Sequence, residues 1–138
     1  MSALTIIMPL PERALCGNGP APASKGGKIA RGKVIALQRE HARLAVFSAL
    51  ADYPETLRGP LFPAGVRVRL SAIVRRSPRW SARRLDDDNY WRGAKSQIDA
   101  LADAGAIHND AQIELGAVAW ETAAPGEQGA TWHLTEVE

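Results

Sequence analysis

The apolar positions of this chain change period along its length, and each period predicts an element. Leu4-Thr5-Ile6-Ile7-Met8 opens as a short strand that Pro9 and Pro11 bring to an end. From Val34 to about Ala51 the spacing is helical, with Val34, Leu37, His41, Leu44 and Phe47 or Ser48 on one side. His41 is expected to face the core, and Pro54 with Gly59-Pro60 closes the segment. Val66 to Val74 alternates, so Val66, Val68, Leu70, Ala72 and Val74 share one face of a half-buried strand while Arg67 and Arg69 point the other way. A second helix is predicted from about Asp87 to Ala104, with a buried stripe of Trp91, Ala94, Ile98 and Leu101 and a stop at Gly105. Gln112–Trp120 and Thr131–Val137 read as two more strands, joined as a hairpin through the turn at Pro125-Gly126.

Two stretches carry no such period. Residues 9–33 are dense in Gly and Pro and hold Lys25, Lys28, Arg31 and Lys33, which predicts a long basic loop. Residues 75–85 form a loop rich in Arg, Ser and Pro. The order β–α–β–α–β–β implies one α/β or α+β domain over residues 1–138, with a small mixed sheet and two main helices on one face.

Composition narrows the class without naming it. The length suffices for one domain with a real core. No stretch is long enough to span a bilayer, and the apolar start lacks the basic residues of a signal peptide, so no membrane partner is expected. The lone Cys16 excludes an intramolecular disulfide and a zinc site built from cysteines, which fits a reducing, cytoplasmic setting.

Charge changes the picture more. Residues 25–84 carry fourteen Lys/Arg against three Asp/Glu, whereas residues 85–138 carry two against eleven. A basic stretch of that strength concentrates phosphate ligands, and the acidic remainder limits indiscriminate adhesion. Both halves also suit plain solvation; the size of the split favours nucleic acid.

The two halves meet at Leu85-Asp86-Asp87-Asp88-Asn89, preceded by Arg75, Arg76, Arg79, Arg83 and Arg84. Three adjacent carboxylates repel one another and call for a positive partner. A hard divalent cation takes oxygen ligands and needs few of them from protein. Capping of a helix N-terminus explains one or two of these acids but not all three. An EF-hand is excluded, because Tyr90 and Trp91 stand where its fifth ligand and its glycine belong. Asp88, Arg92, Lys95 and Asp99 follow at turn spacing and share one helix face.

Arg83-Arg84-Leu85-Asp86-Asp87-Asp88-Asn89, Ile98-Asp99-Ala100-Leu101, Asp103-Ala104-Gly105 and Asn109-Asp110-Ala111-Gln112, taken together, resemble the RusA family of Holliday-junction resolvases. The close likeness covers residues 83–112; a looser one takes in the opening strand, its Pro-x-Pro step and Asn18. The resemblance implies a homodimeric, Mg²⁺-dependent endonuclease, with Mn²⁺ as a substitute, that nicks four-way DNA junctions symmetrically in bacterial or phage recombination and repair. It implies that Asp86, Asp88 and Asp110 bind the metal. The family's catalytic lysine falls on Arg92 when counted from the D-x-D-N motif and on Lys95 when counted back from Asp99-Ala100-Leu101. Lys95 is favoured because it is a lysine. Asn109 departs from the pattern, which often has an Asp there.

The expected catalytic set is therefore Asp86, Asp88, Lys95 and Asp110. The expected DNA-binding set is Lys25, Lys28, Arg31, Lys33, Arg75, Arg76, Arg79, Trp80, Arg83 and Arg84. Branched DNA is the expected partner, with no small-molecule substrate. Trp80 suits stacking on an exposed base as well as anchoring its loop. Trp91, Trp120 and Trp132 suit a core or a dimer interface, and His108 and His133 have no assigned role. The competing expectations are a nucleic-acid-binding module of the same fold without catalysis, and a metal-stabilised interaction protein, which leaves the basic segment unexplained.

Overall fold

The computed structural model describes residues 2–16, 24–78 and 86–137. They form a mixed four-stranded sheet and three α-helices, an α+β fold. Strands β1 (Ala3–Met8), β2 (Val68–Arg76) and β4 (Gly129–Glu136) each bury alternate residues. Pairing brings those residues into rows: Leu4, Leu134 and Leu70; Ile6, Trp132 and Ala72; Met8, Ala130 and Val74. This face is the floor of the core. Helices α1 (Lys25–Leu50), α2 (Asp87–Gly93) and α3 (Lys95–Asp103) cover it with Ala42, Val46, Tyr90, Trp91, Ala100 and Leu101. The opposite face carries Thr5, Ile7, Ser71, Thr131 and His133, and Ile7 is 69% exposed.

The strand order β1-β4-β2-β3 corrects the expected hairpin. Strand β3 (Ile113–Thr122) runs parallel to β2 at the sheet edge, and β4 inserts antiparallel between β1 and β2. Burial decides which strand goes inside. β4 brings Ala130, Trp132 and Leu134, all fully buried, whereas β3 buries only Val118. The turn residues at Pro125–Glu127 carry the chain past the end of β2 instead of closing a two-strand ribbon.

Helix α1 corrects two expectations. It starts at Lys25, so the cations placed in the 9–33 loop stand on its first three turns. The cap is Ser24, whose hydroxyl accepts the Gly27 N–H at 3.0 Å. Its buried residues are Gln38, Ala42, Val46 and Leu50, and the apolar stripe expected inside faces out. Val34, Leu37, Leu44 and Phe47 are all exposed, Leu37 at 58%, and His41 is exposed with them. The helix has two apolar faces, and the one with the smaller side chains fits against α3 and β1.

The helix expected at 87–104 breaks into α2 and α3 at Ala94. The break follows Gly93, which lies so close to Cys16 that a side chain there would overlap its sulfur. α3 ends as expected: Gly105 takes φ +86°, and the N–H groups of Gly105 and Ala106 bond back to Ala102 and Leu101. Aromatic contacts knit α2 to the sheet. Tyr90 and Trp132 each meet Trp91 edge to face at 5.0 and 5.8 Å, and the Trp132 indole donates to the Tyr90 hydroxyl at 2.9 Å. Each such ring pair contributes about 0.5–1.5 kcal/mol beyond area burial. Trp91 and Trp132 are thus core residues, and Trp120 is half-buried beside Tyr90. Among the described residues no helix is long and apolar enough to cross a membrane.

Candidate functional site

The three acids of the run do different work. Asp86 is the N-cap of α2; it accepts the Asn89 N–H at 2.8 Å and the Asn89 side-chain amide at 3.3 Å. Asp87 turns to the sheet and accepts the Val118 N–H at 3.3 Å. One turn on, Trp91 donates to the Gly116 carbonyl at 3.3 Å. Both contacts grip β3 where its register with β2 slips between Leu70 and Ala72, a bulge around Gly116 and Ala117. Asp88 is exposed on the first turn. Capping thus accounts for Asp86 and sheet anchoring for Asp87, which leaves Asp88 as the acid with a solvent-facing role.

Asp110 stands elsewhere. It opens a 3-10 turn held by a capping box: Asn109 accepts the Ala111 N–H, and Gln112 Oε1 accepts the Asn109 N–H at 2.9 Å. The Gln112 amide donates to the carbonyls of Pro63 and Val66 at 2.7 and 2.8 Å, locking this turn to the start of β2. The Asn at 109 is therefore a cap. Asp110 shares a shallow polar cleft with Arg39, Asp99 and Asp103. Arg39 donates to both Asp103 oxygens at 2.6 and 2.8 Å, and that hydrogen bonding holds the Asp103 carboxyl below the ordinary carboxylate range.

Asp87 meets β3 at Val118, whereas Asp110 lies before its first residue, Ile113. Five residues of extended strand span on the order of 15 Å. Within one chain, Asp110 does not join Asp86 and Asp88. Among the described residues no group of three or more His, Cys, Asp or Glu side chains is gathered to hold a metal. Asp86 and Asp88 nonetheless offer hard oxygen donors of the kind Mg²⁺ prefers, and that ion accepts a partial protein shell completed by water and substrate.

The cations lie in two places. From Lys25 to Leu37 no residue of α1 is buried, so Lys25, Lys28, Arg31 and Lys33 stand on a half-helix that extends beyond the core. Arg31 and Ile35 on this arm face Arg92, Lys95 and Ser96 across a cleft of about 330 Å³. The two candidate catalytic cations, Arg92 and Lys95, line that one cleft together, despite the break between α2 and α3. Arg75, at the far end of β2, donates to Thr131 at 3.0 Å on the open sheet face, and Arg76 follows it, half-buried. Arg79, Trp80, Arg83, Arg84 and Asn18 lie outside the described residues.

Of the histidines, His133 pairs with Thr5 on the open face at 3.3 Å, and His108 is exposed beside the Gln112 lock. Burial pushes the Cys16 thiol up to about 11, so it is no nucleophile at neutral pH. Sequence reasoning missed Asp87 as an anchor. It also missed the arm, whose signal was present: Ser24 as a cap, then Lys28, Arg31, Ile35, Gln38 and Ala42 at helical spacing. No family model matches the chain, and no curated protein matches it either.

Proposed function

We propose that this chain is a Mg²⁺-dependent endodeoxyribonuclease that nicks branched DNA, four-way junctions above all, as a homodimer. The observation that carries the reading is the placement of exposed Asp88 on the turn before Arg92 and Lys95, which line one cation-rich cleft. Phosphodiester hydrolysis needs a polarised water and relief of the charge that builds on phosphorus. Mg²⁺, when bound, supplies the first and part of the second. Asp88 and Asp86 would hold it, and Lys95 and Arg92 would place positive charge against the phosphate oxygens. Mn²⁺ satisfies the same oxygen donors.

The separation of Asp110 sets a condition on assembly. If all three acids serve one centre, Asp110 must come from a second copy, and a two-fold axis then builds two equal sites. Two sites related by two-fold symmetry match paired nicks in a junction of the same symmetry. The outward apolar stripe of α1, with Val34, Leu37, Leu44 and Phe47, supplies surface for association.

A second reading has its own support. Asp86 and Asp87 are engaged as cap and anchor, and no three-acid group forms in one chain, as in a DNA-binding module without catalysis. A labelled four-way junction incubated with the protein, with and without Mg²⁺, separates the two. Metal-dependent paired nicks support the nuclease; junction binding with no cleavage, with or without Mg²⁺, supports the module.

A further inference from the structure

The cleft between the α1 arm and the α2–α3 junction joins three cations from three helices: Arg31, Arg92 and Lys95. Asp99 is the acid at its edge. It is already shared, at 3.6 Å from Lys95 and 3.9 Å from Arg39. Of the charged residues that line the cleft, three are cations and one is an acid. Gathering like charges is unfavourable unless an anion arrives to share them.

Position along α1 shows that the arrangement is part of the fold. Lys28, Arg31, Ile35, Gln38, Ala42 and Val46 recur every three or four residues, so the arm's inner face continues the buried face. Gln38 fixes the angle between the helices: it accepts the Glu12 N–H at 2.6 Å and donates to Gly93 O at 2.8 Å and Ser96 Oγ at 2.7 Å. Arg31 is thereby set opposite Lys95, about two turns before this buried anchor. Leu15 and Ile35 add apolar walls, which strengthen charge attraction by excluding water. The cleft lies at the low end of small-ligand sites, roughly 300–1,000 Å³, and holds more than a bare phosphate.

We infer that this cleft seats one backbone phosphodiester of a bound DNA strand, with Arg31, Arg92 and Lys95 on the phosphate and Leu15 and Ile35 against the sugar. The inference rests on the nucleic-acid reading above and adds to it a positioning residue, Arg31, and a role for the α1 arm. The strand threads between the arm and the α2–α3 junction, which brings the neighbouring phosphate toward Asp88.

The test titrates the isotopically labelled full chain with single-stranded dT8 and, separately, with inorganic phosphate, following side-chain signals by NMR. dT8 should shift Arg31, Arg92, Lys95 and the Ile35 methyl groups. Arg31→Ala should weaken dT8 about five- to tenfold and lower the salt slope of binding by about 0.7, while Arg31→Lys should recover part of the loss. Unchanged helical backbone chemical shifts over residues 25–38 in the variants check that the arm still folds. If Arg31→Ala leaves affinity and slope unchanged, or the shifts fall elsewhere, the seat is overturned and the nuclease reading stands. Inorganic phosphate binding as tightly as dT8 overturns the seat as a nucleic-acid site. If the wild-type chain binds neither dT8 nor a junction, the nucleic-acid reading falls as well.

Discussion

Gln38 is a buried amide on α1 whose oxygen and nitrogen are both spent on joining elements: the turn after β1, the end of α2 and the start of α3. Replacing it with leucine keeps the volume and strands the Glu12 N–H, the Gly93 carbonyl and the Ser96 hydroxyl. Gln38→Leu should cost about 2–3 kcal/mol in urea unfolding; a change under about 0.5 kcal/mol would show that the three groups find other partners. The acid run divides in the same residue-by-residue way. Asp87→Ala removes the acceptor of Val118 and should lower stability by about 1 kcal/mol. Asp88→Asn should leave stability unchanged and abolish Mg²⁺-dependent nicking, with junction binding kept or improved as negative charge is removed. Nicking that survives in Asp88→Asn removes this acid from the metal site.

At the scale of elements, the contact between the chain after β1 and the α2–α3 junction sets the geometry of the cation cleft. Gly93 allows Cys16 to approach, so Gly93→Ala should overpack by about 1–3 kcal/mol. Cys16→Ala in the same chain should recover much of that loss, and strict additivity of the two changes would place the strain elsewhere. The clasp between α1 and α3 is electrostatic. Because the Arg39 hydrogen bonds lower the Asp103 pKa, the folded state binds this proton less readily than the unfolded chain. The clasp therefore contributes fully above the ordinary carboxylate pKa and is lost as pH falls through the lowered value. The pair is solvent-exposed, so its contribution is about 0.5–1 kcal/mol. Asp103→Asn should remove that slice of the pH dependence of thermal unfolding, and a profile parallel to wild type would refute it.

For the whole molecule, the placement of Asp110 away from Asp88 yields a prediction that a monomeric nuclease does not share. Asp88→Asn and Asp110→Asn should each be inactive alone. If Asp110 acts across the dimer, mixing and exchanging the two should restore about a quarter of the wild-type nicking, because half of the dimers are mixed and each of these assembles one intact site of its two. Sedimentation should show a dimer at micromolar concentration. A monomer that still nicks, or mixed dimers with no recovered activity, would return Asp110 to its own chain or exclude it.

The sequence by itself determined the elements whose signals are local. The alternation in β1, β2 and β4, Gly105 as the stop of α3 and the acid run at a helix start follow from backbone sterics and the period of the side chains. Only the tertiary structure decided which face of α1 is inside, because Val34, Leu37, Leu44 and Phe47 are as apolar as Ala42, Val46 and Leu50 and the choice turns on fit against α3 and β1. It also decided that β4 enters the sheet beside β2, since the gain from burying Trp132 is a property of the assembled core that no neighbouring residue in the chain reports. The likeness in residues 83–112 brought Asp86, Asp88 and Asp110 together as a list, whereas distance separates them in one chain: strand β3 runs parallel to β2, so the turn that holds Asp110 begins at the end of the sheet away from the acid run.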